Sequence, residues 1–179
     1  MVEIPSNFIG DFKVGDNLIY NAGVLRSLCE NNGDGSLNKL VVVQVGAILE
    51  AALGQIIYRA QNFNREGVPN IAEADRQEIE GKKVEKLNNI IDVMRKYELL
   101  NALGGSIYDE LHTLRRFRNK VHIQDDNADV PGDEETAFTP SRCAWSLNLC
   151  AIFLTFLSEQ LPRPGNIGNY VRPLCIPNA

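Results

Sequence analysis

Metal-ligand spacing is missing from this chain. It has four cysteines, Cys29, Cys143, Cys150 and Cys175, and two histidines, His112 and His122. No two cysteines form a CxxC pair, and none stands close to a histidine, so no metal is expected. Cys143 and Cys150 are seven positions apart and share one face of a helix, where free cysteines serve as small core residues. Glycine patterns of the Rossmann or P-loop kind are absent too, and no cofactor is expected. Residues 30–36 look superficially like a calcium loop but lack its alternating acidic ligands and terminal glutamate.

An excess of positive charge is also lacking. Lysine and arginine total 18 against 23 aspartates and glutamates, a net charge of -5. The surface as a whole does not advertise nucleic-acid binding, so a local basic strip would have to do that work. No row of aromatics offers a stacking platform; Phe117 and Trp145 suit core packing instead. The opening Met1-Val2-Glu3-Ile4-Pro5-Ser6 has neither a basic flank nor a continuous apolar core, and no signal peptide is expected. The four cysteines then read as reduced thiols in a cytoplasmic protein. The longest apolar run, residues 41–58, is broken by Gln44, Glu50 and Gln55. A carboxylate near mid-bilayer is costly, so this run reads as a buried core helix, with no membrane partner.

What is present is helical patterning. Asp16 can cap a first helix running to about Cys29, with Leu18, Ile19, Leu25 and Leu28 inward. A second helix spans about residues 38–63, and being apolar on most sides it belongs at the centre of a bundle. Gly46 and Gly54 weaken it but permit close packing by neighbours. After a polar connection, a charged segment from about residue 73, interrupted near Gly81, places Val84, Leu87, Ile90, Ile91 and Met94 at helical spacing. A basic helix starts at Ser106 and ends near His122 or Ile123. Residues 124–136 form an acidic loop. A last helix begins at Thr139-Pro140, where proline suits the first turn. The sum is an all-α antiparallel bundle of four main helices plus an accessory helix. Residues 1–161 form the helical domain and residues 162–179, with Pro162, Pro164 and Pro173, an irregular arm.

The stretch Leu114-Arg115-Arg116-Phe117-Arg118-Asn119-Lys120-Val121-His122-Ile123 carries the chemistry. Residues three and four apart share a helix face, which gathers Arg115, Arg118, Asn119 and His122 along one edge. Ile107, Leu111, Leu114, Phe117 and Val121 form the adjoining buried stripe. Arginines grip phosphate oxygens and an imidazole moves protons, so this edge suits a phosphodiester. Arg118, Asn119 and His122 are the candidate catalytic residues, and Arg115, Arg116 and Lys120 the candidate RNA contacts. The same groups suit a buried polar brace, or helix-end capping by His122. Glu50 sits in the most apolar helix, where an unpaired carboxylate is costly, so it is expected buried and paired with an arginine of the basic helix. His112 falls on a different side from His122.

The stretch with its Arg118-Asn119 pair and following His122 resembles the motif helix of the HEPN superfamily. That motif is an arginine, commonly followed by asparagine, then a histidine after four to six intervening residues. Here three residues separate Arg118 from His122, five separate Arg116 and six separate Arg115, so which arginine takes the family role stays open. The order of helices over about residues 16–161 also resembles the family's bundle. The resemblance implies a homodimer whose two motif helices share a cleft, and metal-independent RNA cleavage in defence, toxin or RNA-processing biology. The family also includes inactive members, so a noncatalytic protein-interaction or dimerisation module is the alternative, with RNA or protein as partner.

Overall fold

The computed structural model describes residues 1–122, 130–165, 167 and 171–179. Ile123 and the acidic Asp125, Asp126 and Asp129 lie outside the described residues. Among the described residues there are seven α-helices: α1 (Phe12–Glu30), α2 (Asn38–Asn62), α3 (Arg76–Gly81), α4 (Leu87–Lys96), α5 (Ile107–Asn119), α6 (Glu134–Ala137) and α7 (Pro140–Gln160). Two short strands, β1 (Val2–Ile4) and β2 (Leu174–Ile176), pair antiparallel, with Val2 opposite Ile176 and Ile4 opposite Leu174.

This corrects the expected bundle of four main helices plus one accessory helix. The charged segment after residue 73 is interrupted after Gly81, as expected, but residues 82–86 leave helical geometry altogether, so its halves count as two separate helices. A further short helix, α6, precedes α7. The arm expected to be irregular contributes β2, since Pro173 stands before the strand and removes no ladder donor.

α2 is the hub, packed against α1, α3, α4, α5 and α7. Its buried residues point in every direction, from Val41, Val42 and Val45 to Ile56, Ile57 and Ala60. α2 and α7 are long and apolar enough to cross a membrane by length and composition. Here they pack on one another. α1 is capped by Asp11, whose side chain accepts from the Lys13 N–H at 2.8 Å, rather than by Asp16, which lies inside the helix. Gln55 Oε1 accepts from the N–H groups of Gly10 and Asp11 at 3.0 and 2.7 Å, tying the start of α1 to α2. Thr139 caps α7, its side chain accepting from the Arg142 N–H at 3.2 Å, and Pro140 fills the first turn.

Candidate phosphodiester cleft on α5

α5 forms because Ile107, Leu111, Leu114 and Phe117 repeat at three- and four-residue spacing and bury against the core. Asp109 and Glu110 in its first turn and Arg116 and Arg118 in its last complement the helix dipole. Phe117 packs edge-on to Phe138 with ring centres 5.9 Å apart, and Trp145 lies 6.4 Å away. The guanidinium of Arg142 covers the Phe117 ring at 4.2 Å.

The helix stops at Asn119, short of the expected end. The next three N–H groups each bond three residues back: Lys120 to Phe117, Val121 to Arg118 and His122 to Asn119, all at 3.2 Å. The apolar stripe therefore ends with Phe117. Val121, expected inside it, is 49% exposed. Lys120, expected to face RNA, is buried and donates its ammonium to the Gly132 carbonyl at 3.3 Å. A lysine past the helix end is free to fold back on a neighbouring carbonyl, and its phase on an extrapolated helix no longer says where it points.

Glu50 and Arg118 meet. Arg118 Nη2 donates to Glu50 Oε2, and the Leu87 N–H donates to Glu50 Oε1 at 3.0 Å. The carboxylate thus joins α2, α5 and the first turn of α4, where it also satisfies one of the unpaired N–H groups of a helix start. Arg118 Nη1 reaches Asn119 Oδ1 at 3.4 Å. The stem of Arg118 lies directly over Gly46. A glycine at that point lets the arginine cross α2 and arrive at Glu50.

These groups line a cleft of about 340 Å³ formed by Glu50, Lys86, Leu87, Asn88, Arg115, Arg118 and Asn119. Three cations face one carboxylate, a local excess of positive charge on an acidic protein. Arg115 has its Nε buried without a hydrogen-bond partner. Of the sequence-predicted residues, Arg115, Arg118, Asn119 and Glu50 come together here. Arg116 lies elsewhere and donates to Thr113 Oγ1 at 3.0 Å. His122 is exposed on the turn beyond α5 and does not line the cleft. Lys86 and Asn88 were not foreseen; Lys86 immediately precedes α4 and Asn88 lies in its first turn, and no local pattern in the sequence links them to α5.

His112 faces a different neighbourhood. Its Nδ1 is buried without a hydrogen-bond partner. Burial first, and the charge of Arg115 second, hold its imidazole below the ordinary histidine pKa. A larger groove of about 660 Å³ runs along α1 past Ile19, Val24, Leu28 and Leu37. It is mostly apolar and brings together no acid–base pair. Among the described residues, no group of three histidine, cysteine, aspartate or glutamate side chains is placed to hold a metal ion. Comparison of the chain with protein-family models, with curated proteins and with solved structures gives no match.

Proposed function

We propose that the α5 edge is the working cleft of a metal-independent endoribonuclease that acts as a homodimer. The observation that carries this reading is the convergence of Arg115, Arg118 and Asn119 on one cleft with a net positive lining. Arg115 holds a phosphate oxygen, and Arg118, fixed by Glu50, stabilises charge that builds on the non-bridging oxygens. His122, on the exposed turn that follows α5, takes the proton of the ribose 2′-hydroxyl of the bound strand. The 2′-oxygen attacks phosphorus, the bond to the 5′-oxygen breaks, and the leaving oxygen takes a proton from water or from His122 of a second copy. The resemblance of residues 114–123 to the HEPN motif supports the same reading.

A second reading has its own support. The Glu50–Arg118 pair closes within one chain and joins three helices, which is what a noncatalytic dimerisation module needs of a structural brace.

The test is cleavage of mixed single-stranded RNAs by purified protein with a chelator present. His122→Ala is expected to lower the rate by about 10²–10⁴-fold while leaving the unfolding midpoint unchanged. RNA with 2′-deoxy substitutions should bind and resist cleavage. Light scattering across a micromolar series is expected to give a dimer. Equal cleavage of the deoxy strand rejects the mechanism. Complete inactivity, with His122→Ala dissociating the dimer, selects the interaction module.

A further inference from the structure

The cleft has a wall that the α5 motif does not supply. Lys86 and Asn88 enter it from the start of α4, facing Arg115 and Asn119 of α5. Among the described residues, neither Lys86 nor Arg115 has an ion-pair partner, whereas Arg118 is held by Glu50. Two cations without an ion-pair partner line one cleft, and Arg115 keeps a buried N–H with no acceptor, so the cleft suits an anion held by both. Beside them stand two carboxamides. Asn88 spends one N–H on Asp92 Oδ2 at 2.9 Å and keeps its carbonyl, and Asn119 keeps its amide N–H groups. Such groups pair with the edge of an unstacked base. The volume, about 340 Å³, sits at the lower end of the roughly 300–1,000 Å³ of small-ligand sites. It suits one nucleotide and excludes a duplex.

We infer that the α4 wall makes this cleft a single-nucleotide seat, with the phosphate between Lys86 and Arg115 and the base edge beside Asn88 and Asn119. The inference rests on the phosphodiester reading of the α5 edge and adds Lys86 and Asn88 as substrate-contacting residues. It also gives a reason for preferring single strands, because a base held in a duplex cannot enter.

The probes are adenosine 5′-monophosphate, the trinucleotide ApApA and adenosine, followed by amide chemical shifts of the full chain. Both phosphate-bearing probes should shift the Leu87, Asn88, Arg115 and Asn119 signals, and adenosine should not. Lys86→Glu should weaken binding of both by about tenfold or more, and Lys86→Arg should restore it. Unchanged affinity in Lys86→Glu, or equal binding of adenosine, overturns the inference. The same variants assayed on RNA separate the two readings. Cleavage that survives Lys86→Glu undiminished removes the α4 seat and leaves the ribonuclease. Nucleotide binding by a wild-type protein that cleaves no RNA keeps the seat and removes the ribonuclease.

Discussion

A Cβ built on Gly46 would lie 2.7 and 2.8 Å from Cγ and Cβ of Arg118, while one on Gly54 would meet nothing closer than Ile90 Cδ1 at 3.7 Å. The two glycines stand in the same helix, yet alanine should act oppositely at them. Gly54→Ala is expected to stabilise by about 0.5–1 kcal/mol through helix propensity. Gly46→Ala should destabilise by about 1–3 kcal/mol, since overpacking lifts Arg118 off Glu50. Urea unfolding of both variants checks this. In an Arg118→Ala background the penalty at Gly46 should shrink without vanishing, because the Cγ contact is gone while Cβ of residue 118 stays 2.8 Å away. His112 makes a second residue-level prediction. Its folded pKa is lowered, so the unfolded chain binds the proton more readily. Stability is therefore fully present above the ordinary histidine range and is lost as pH falls through about 6.5 toward the folded value. Unfolding midpoints at pH 7.5 and pH 5 should differ more for the wild type than for His112→Gln.

At the scale of elements, α2 and α7 were legible because their signals are local and redundant. α2 runs Asn38–Asn62, close to the span read from its apolar run, and α7 begins at the expected Thr139-Pro140. The need of Glu50 for a positive partner followed from one carboxylate in an apolar helix. The end of α5 was only partly legible, since Asn119 can terminate a helix but no glycine or proline follows it before His122 to fix the stop there. The sharing of one cleft by Lys86 and Arg115, a tertiary arrangement with no periodic trace, was not legible. The junction after α2 was missed for the same reason. There Arg163 donates to Glu66 from Nε at 2.7 Å and from Nη2 at 3.2 Å, with side chains 7% and 18% exposed. Beside them Arg59, fully buried, donates to the Leu161 carbonyl at 2.9 Å, and burial pushes its pKa down to about 10. Gly67, at φ +67°, is needed at this turn because a Cβ would sit 2.5 Å from the Pro162 carbonyl oxygen. Glu66→Ala leaves two neighbouring guanidiniums without their anion. It should cost about 3–5 kcal/mol, read as a lowered urea midpoint, with Glu73→Ala on the exposed surface as the near-neutral control.

Across the whole molecule, the helical body is enclosed by a contact between distant parts of the chain. β1 and β2 pair although about 170 residues separate Ile4 from Leu174. β2 also lies against α1, and Ile4, Leu174 and Ile176 are buried in the common core. Loop closure over such a length grows only slowly in entropic cost, so the seam is thermodynamically tolerable. Its directions have a mechanical consequence. Val2 faces Ile176, so the backbone ahead of β1 and the backbone beyond β2 leave the seam from the same end. Tension between those two points peels the rungs apart one at a time, as a zipper opens, instead of shearing them together. Force entering there parts the seam before it reaches α2.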